Sequence, residues 1–269
     1  MSIVERVVKH LEELNGGGVA RCATLRPSPR ESQSVNVDLE LLTRTGCLIE
    51  VDSRSLQAQQ FRDIKRPLLR NARSASATER MSLIMVTSPG SGEGKTFCAI
   101  NLAMSMAIEV DTAVLLVDAD VVRPDLLSRL GLQPRKGLLD LLADSDIDIT
   151  DVLLRTNVAN LSILPAGSAN SRSTEILASS ALDRLLAELA VRLPDHVVIF
   201  DAPPLLLTTE AKVLATRVGQ VLMVIEAGRT PRNLAQRAFA VLDECAIVMT
   251  VLNKGREPPE YRAYGDYYG

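Results

Sequence analysis

Residues 83–107 read LIMVTSPGSGEGKTFCAINLAMSMA, a succession of an apolar run, a glycine-rich turn and a helix-like segment. The pattern predicts a strand at Leu83–Val86 and a helix at Thr96–Ala107. Between them, glycines allow backbone N–H groups to converge on phosphate oxygens, and the helix N-terminus adds a favourable dipole. The turn is a variant of Gly-x-x-x-x-Gly-Lys-Ser/Thr, because Pro89 stands where the strict pattern has glycine. The stretch therefore predicts a phosphate-binding loop.

The rest of the chain repeats the order of strand, turn and helix. Further apolar strands are predicted at Ala113–Val117, Leu161–Leu164, Val197–Phe200, Val221–Ile225 and Ile247–Leu252. Further helices are predicted at Thr174–Val191 and Pro231–Asp243. Continuous Val, Ile and Leu strands that alternate with helices indicate a parallel sheet covered on both faces. The predicted class is α/β, a P-loop NTPase fold with a mostly parallel sheet, an N-terminal helical extension and a flexible C-terminal tail.

Composition divides the chain into three parts. The predicted parts are residues 1–55 for an N-terminal helix and flexible linker, 56–260 for the P-loop domain and 261–269 for a tyrosine-rich tail. Apolar residues at helical spacing predict a short helix over Ser2–Leu14, and a linker rich in Gly, Pro, Ser and Arg runs to about Asn36. The segment Leu56–Ala72 reads as a basic helix that Pro67 is expected to kink or restart.

Composition and charge argue against several classes of protein. A net charge of −3 gives no electrostatic reason to bind nucleic acid, so no nucleic-acid partner is expected. No apolar run approaches the roughly 18 residues that a membrane span needs, and the first residues lack a signal-peptide layout. The four cysteines are scattered and are expected to be free thiols. We therefore expect a cytoplasmic protein that is held at a membrane only through a partner.

The phosphate-binding loop predicts a site for ATP and Mg²⁺. Lys95 is expected to reach the β and γ phosphates, and the Thr96 hydroxyl is expected to bind Mg²⁺. The residues expected to surround the nucleotide are Gly90, Ser91, Gly92, Glu93, Gly94, Lys95, Thr96 and Phe97. A chance glycine-rich turn is the alternative, and the flanking strand and helix argue against it.

Two of the predicted strands end in acidic residues. Asp118 and Asp120 follow one strand, and extended residues at a spacing of two point to the same side. Arg123 comes next, near enough to stabilise charge on a transferring phosphoryl group, and Asp201 ends a later strand. Because ligands bind at the carboxyl ends of parallel strands, these acids are expected to gather where the phosphates sit. Taken singly, each acid could equally be a helix N-cap or a turn carboxylate.

All four tyrosines of the chain lie in its last nine residues, at Tyr261, Tyr264, Tyr267 and Tyr268. A sticky or structural aromatic tail is the alternative interpretation, but such a tail would not need tyrosine exclusively. Hydroxyl-bearing side chains next to an ATP site instead predict phosphate acceptors, and each phosphate would add nearly two negative charges.

Together these motifs resemble the bacterial tyrosine kinases (BY-kinases) of exopolysaccharide synthesis. The resemblance runs from about Leu56 to Gly269 and lies in four motifs in the family's order: a variant Walker A loop, a second acidic motif, a Walker B strand and a C-terminal tyrosine cluster. Three stretches are similar to the exosortase-associated tyrosine autokinases in particular: FRDIKRPLLR at 61–70, DAPP at 201–204 and TEAKVLA at 209–215.

The resemblance implies an ATP-dependent, non-specific protein-tyrosine kinase whose copies self-associate and phosphorylate one another's tails in trans. It also implies activation by a membrane-embedded polysaccharide chain-length (Wzz-like) partner. The residues that it assigns are Lys95, Asp118, Asp120 and Arg123 as catalytic, and Thr96, Asp118 and Asp201 (in Walker B) as metal ligands.

Two further positions follow from the resemblance. Asn253 falls where related P-loop ATPases hold the adenine, and an exposed turn asparagine is the alternative there. The family's self-association motif is Glu-x-x-Arg-x-x-Arg, whereas Gln59, Arg62 and Lys65 occupy those places here. The chain therefore departs from the family at this motif.

Two other functions stay open. A cell-positioning or plasmid-partition ATPase dimerises as a switch, but it carries a signature lysine where this chain has Gly90, and it needs no tyrosine tail. A catalytically weak adaptor, phosphorylated on its tail by another kinase, would keep the same acids.

Overall fold

The computed structural model describes residues 33–49, 55–74, 78–168, 172–193 and 195–255. Its strands are β1 (Gln33–Val35), β2 (Leu83–Thr87), β3 (Ala113–Asp118), β4 (Leu154–Thr156), β5 (Leu161–Leu164), β6 (His196–Asp201), β7 (Gln220–Glu226) and β8 (Ile247–Asn253). Its helices are α1 (Leu39–Arg44), α2 (Leu56–Ala72), α3 (Lys95–Ala107), α4 (Leu126–Arg129), α5 (Leu138–Ala143), α6 (Ile149–Val152), α7 (Ser173–Ala178), α8 (Ser180–Arg192), α9 (Thr209–Ala215) and α10 (Arg232–Val241). A 3₁₀ turn at Glu79–Ser82 precedes β2.

The strands of the described chain form one sheet in the order β1-β4-β5-β3-β6-β2-β7-β8. All neighbours run parallel except β4 and β5, which pair antiparallel. The predicted α/β fold with a mostly parallel sheet is therefore confirmed. Because β3, β6 and β2 are neighbours and parallel, their carboxyl ends lie side by side at one edge of the sheet.

The central strands β2, β3 and β6 are buried on both faces of the sheet, which explains their continuous apolar sequences. Successive residues of β2 point to opposite faces: Leu83 and Met85 pack in the cluster that contains α8, whereas Ile84 and Val86 pack in the cluster that contains α3. Both clusters consist mainly of Leu, Val, Ile and Ala side chains. The sheet therefore holds the ends of its strands rigidly.

Helix α3 is the most enclosed helix at the site. All of its residues except Lys95 and Phe97 are buried, so it has no polar face to present to water. Helix α2 packs against it, and the rings of Phe61 and Phe97 meet edge to face with centroids 6.0 Å apart. The first turn of α3 is consequently fixed from two sides.

Lys65 of α2 is buried although it lies in a helix that reads as basic. It is 6% exposed, its Nζ donates to the Ser105 carbonyl at 2.7 Å, and it forms an ion pair with Glu109 at 2.6 Å. Lys65 thus binds its own domain at a position where the family's self-association motif has arginine.

Three expectations about the N-terminal part of the domain need correction. The linker predicted to run to about Asn36 ends earlier, because β1 pairs with β4 at the edge of the sheet. Val37 and Leu42 are then buried in the α3 face of the core, so the packed fold begins before the predicted boundary at residue 56. Pro67 does not restart its helix, since α2 runs as one element through it.

The helix predicted at Thr174–Val191 is two helices, α7 and α8. Ser179 ends the first, and its hydroxyl caps the second by accepting a hydrogen bond from the Ala181 N–H at 3.2 Å. This capping geometry is the physical cause of the break.

Other expectations concern residues outside those described, namely the helix at Ser2–Leu14, the linker up to residue 32 and the tail at 261–269. Among the helices that are described, none combines the length and the apolar character that crossing a membrane requires.

Candidate active site

The glycine-rich loop joins the end of β2 to the start of α3. Gly92 and Gly94 have φ angles of 83° and 98°, a region that glycine adopts without strain. At Gly94 an added Cβ would also lie 2.1 Å from the side-chain nitrogen of Asn253. Helix α3 begins directly afterwards at Lys95, where first-turn N–H groups are available to an anion. The loop has the backbone form that a phosphate cradle requires.

Glu93 braces this loop. Its side chain is 5% exposed, Oε2 accepts a hydrogen bond from the Gly90 N–H at 2.7 Å, and Oε1 accepts one from the Thr230 hydroxyl. The Ser88 hydroxyl donates to the Gly90 carbonyl at 2.6 Å. Gly90 and Glu93 therefore hold the shape of the loop, and neither lines the cavity in front of it.

Two buried acids lie at the carboxyl ends of β3 and β6. Asp118 and Asp201 occupy paired positions on these neighbouring strands, and each is 1% exposed. The Thr96 hydroxyl bonds to the Asp201 carboxylate, and the Asp120 N–H donates to Asp118 Oδ1 at 3.2 Å. The acids that the sequence placed at strand ends are thus brought together with the start of α3.

Burial makes both carboxyl groups reluctant to ionise. Burial, with a smaller contribution from the Asp201 carboxylate, raises the pKa of Asp118 to about 8. Burial raises the pKa of Asp201 to about 6, while the Lys95 ammonium and the Thr96 hydroxyl act in the opposite direction. Two buried carboxyl groups with raised pKa values indicate a site where an added cation would stabilise the ionised forms.

Lys95 bridges the loop and the end of β3. Its Nζ lies 2.8 Å from Asp120 Oδ2, and the two side chains are only 13% and 9% exposed. Arg123 follows in a turn closed by its own N–H, which donates to Asp120 Oδ1 at 3.1 Å, and its side chain is exposed. A lysine, an acid and an arginine therefore meet at one opening.

In front of these residues lies a cavity of about 970 Å³. The predicted site residues that line it are Ser91, Gly92, Gly94, Lys95, Thr96, Phe97, Asp120, Arg123 and Asn253. Asp118 and Asp201 do not line it and lie buried beneath it. Tyr261, Tyr264, Tyr267 and Tyr268 lie outside the described residues.

The donors at the base of the cavity fit Mg²⁺. They are carboxylate and hydroxyl oxygens, which this ion prefers, and Asp201 Oδ1 is buried without a hydrogen-bond partner. Within the described ranges, no three His, Cys, Asp or Glu side chains are arranged to hold a metal by themselves. A magnesium ion here would therefore take its remaining ligands from nucleotide phosphates and water, as is usual for Mg²⁺ in proteins.

Sequence reasoning missed several residues of the opening. Arg129 and Lys254 add positive charge to its lining, and Val122 and Leu207 add exposed apolar side chains. Lys254 follows Asn253 directly at the end of an apolar strand, and that position was the one available signal for it. Nothing in the pattern around Arg129 distinguishes it from an ordinary surface arginine.

Comparison with known proteins defines the class. Residues 81–231 match the family model described as an AAA domain. This match covers more than half of the chain, so the chain belongs to the AAA domain family. MinD, the septum site-determining protein of Pyrococcus horikoshii solved with Mg-ADP, shares the fold with a TM-score of 0.54 and 25% identity over 66% of this chain and 74% of its own.

Closer relatives are kinases. The tyrosine-protein kinase YwqD of Bacillus subtilis is 29% identical over 219 residues, which are 81% of this chain and 89% of YwqD. The solved kinase domain of VpsO is 29% identical with a TM-score of 0.59, over 72% of this chain and 98% of that domain. Within the family the chain groups with the bacterial protein-tyrosine kinases, which confirms the enzyme class and the resemblance. The exosortase-associated subtype stays a prediction.

Proposed function

We propose that this chain is an ATP- and Mg²⁺-dependent tyrosine autokinase that regulates exopolysaccharide synthesis or export. Its acceptors are Tyr261, Tyr264, Tyr267 and Tyr268 of a neighbouring copy. The observation that carries the proposal is the convergence of a glycine-rich loop, Lys95 and the acids of β3 and β6 at one cavity.

The loop and Lys95 bind and orient the nucleotide phosphates. N–H groups of residues 91–96 surround the β phosphate, and Lys95 exchanges its ion pair with Asp120 for the β and γ phosphates. The exchange is favourable because a phosphate carries more charge than a carboxylate and accepts several hydrogen bonds. Phe97 and Asn253 border the space that the rest of the nucleotide takes.

Thr96, Asp118 and Asp201 are the residues that would hold Mg²⁺. When bound there, Mg²⁺ would supply positive charge that offsets the negative charge developing on the phosphates during transfer. The two buried carboxyl groups become stable anions once a cation is beside them, which reverses the effect of burial on their pKa. The Thr96 hydroxyl, which bonds to the Asp201 carboxylate in the absence of the ion, would then be available to bind it through its oxygen.

Asp120 and Arg123 serve the transfer itself. When Lys95 moves to the phosphates, the Asp120 carboxylate is left at the opening and accepts the proton of the acceptor tyrosine hydroxyl. The tyrosine oxygen forms a bond to the γ phosphorus, the bond to the β–γ bridging oxygen breaks, and ADP leaves. The exposed guanidinium of Arg123 stabilises the charge on the transferring group.

Acceptor tyrosines are presented by another copy of the chain. Nine residues of tail span at most about 30 Å, enough to reach the opening of an adjacent copy. Recruitment to the membrane through a membrane-embedded polysaccharide chain-length (Wzz-like) partner would bring copies together and activate them.

An autophosphorylation assay on purified protein tests the proposal. The full chain with ATP and Mg²⁺ should gain phosphotyrosine, and Lys95→Met should abolish it while leaving the fold intact, since Lys95 lies at the opening and not in the core. Phosphotyrosine at the wild-type level in the mutant would refute the kinase assignment to this site.

A cell-positioning or partition-type ATPase switch is the second candidate, favoured by the likeness to MinD. Gly90 stands where that class has its signature lysine, and the assay separates the two. ATP hydrolysis coupled to dimerisation, with no phosphotyrosine, would favour the switch.

A further inference from the structure

The end of β8 reaches back to the phosphate loop. Asn253 ends this strand, and its side-chain N–H donates to the Glu93 carbonyl at 2.9 Å. Lys254 follows, and its Nζ donates to the Gly92 carbonyl at 2.7 Å. Two consecutive peptide groups of the loop are thus held by two consecutive residues of another part of the chain.

These contacts fix the direction of the loop N–H groups. In a trans peptide the carbonyl oxygen and the following N–H point in opposite directions, and the described residues contain no cis peptide. Holding the Gly92 carbonyl therefore aims the Glu93 N–H away from Lys254, and holding the Glu93 carbonyl aims the Gly94 N–H away from Asn253. A bound phosphate would accept hydrogen bonds from these two N–H groups.

Lys254 is itself held in an uncommon conformation. Its φ is 57°, in the left-handed region that a lysine seldom adopts, and its ammonium also pairs with Glu226 at 3.1 Å. The Glu226 side chain is 12% exposed, so the pair is partly shielded from water. Strain of this kind persists only where surrounding contacts enforce it, and it concentrates at functional sites.

We infer that Lys254 is a positioning residue of the nucleotide site, acting through the Gly92 carbonyl with Asn253 as its partner on the adjacent peptide. The inference rests on the proposed binding of nucleotide phosphates by this loop. Lys254 orders the loop before the nucleotide arrives, so less conformational freedom is lost on binding. The segment that leads into the tyrosine tail is thereby part of the site that phosphorylates it.

Lys254→Gly is the sharpest variant, because glycine accepts a φ of 57° without strain while the side chain and its ammonium are removed. The matched control is Lys136→Gly, at an exposed loop lysine away from the cavity. The full chains would be titrated with ADP and Mg²⁺ by calorimetry, and amide exchange of residues 91–94 would be measured without nucleotide. Thermal unfolding would report on the fold.

Lys254→Gly should weaken ADP binding about tenfold or more, since a charged hydrogen bond is lost, with no loss of melting temperature. Its loop amides should exchange faster than wild type, Lys254→Arg should recover most of the affinity, and Lys136→Gly should match wild type. Wild-type affinity in Lys254→Gly overturns the inference. So does weak binding with unchanged amide exchange, which would mean that Lys254 touches the nucleotide directly. If wild type itself binds no ADP, the proposed function fails, whereas wild-type binding that Lys95→Met weakens shows that the titration reports on this loop.

Discussion

Asp118 and Asp201 face one another at paired positions of β3 and β6, both 1% exposed, and both have a raised pKa. Burial raises both pKa values, and the Asp201 carboxylate further disfavours ionisation of Asp118. The arrangement makes the region beneath the cavity unfavourable without a cation and favourable with one. Two consequences of this arrangement can be measured.

The first is a dependence of stability on pH in protein freed of nucleotide and divalent cations. The pKa of Asp118 rises from 3.8 to about 8, so the folded state binds its proton more tightly than the unfolded state. The contribution of Asp118 to stability is therefore fully present below its unfolded pKa and is lost as pH rises through about 8. The midpoint of thermal unfolding should drop by roughly several degrees between about pH 5 and pH 9.

Asp118→Asn should remove most of that slope and should be more stable than wild type at the upper end of the range. Asp243→Asn, at an exposed acid, is the matched control and should keep the slope. A wild-type profile that is flat, or that rises with pH, would contradict the electrostatic account of this pair.

Although Asp118→Asn should stabilise the fold at high pH, it should slow phosphorylation, and so should Asp201→Asn. Asp118→Asn and Asp201→Asn should each lower the rate of phosphotyrosine formation by about 100-fold or more, because each removes a magnesium ligand. Raising Mg²⁺ should recover part of the rate. Asp243→Asn should behave as wild type, and near-normal rates in both site variants would place the metal elsewhere.

Lys65→Met should destabilise the domain. The change leaves the Ser105 carbonyl without its donor and Glu109 without its partner, which predicts a loss of about 2 kcal/mol in the free energy of unfolding. Arg66→Met, whose wild-type side chain is 74% exposed, should change it by less than about 0.5 kcal/mol. Urea unfolding compares the two, and equal effects would show that the buried contacts of Lys65 carry no stability.

The core of the fold could be predicted because its signals are local. The central strands are continuous apolar runs, and the glycine-rich loop indicates both where β2 ends and where α3 begins. The edge strand β1 was not predicted because it is three residues long, polar and largely exposed, so no periodicity marks it. The break between α7 and α8 at Ser179 was not predicted, because a serine within a helical pattern acts as an N-cap only when its own backbone leaves the helical conformation.

The site likewise contains some residues that the sequence predicts and others that it does not. The types and order of Lys95, Asp118 and Asp201 predict a common location, because parallel strands bring their carboxyl ends to one edge. The inward turn of Glu93 and the return of Lys254 to the loop depend on Thr230 and Glu226, which are distant in sequence. Tertiary contacts of this kind leave no pattern that a single sequence can display.

We expect the tail tyrosines to be this kinase's own acceptors, modified between copies of the chain. A full-length Lys95→Met chain would be mixed with an active chain lacking Tyr261–Gly269, given ATP and Mg²⁺, and analysed by mass spectrometry. We predict phosphate on Tyr261, Tyr264, Tyr267 or Tyr268 of the Lys95→Met chain, at a rate that rises with protein concentration. Label confined to serine or threonine residues of the body, or no label on the Lys95→Met chain, would contradict the account.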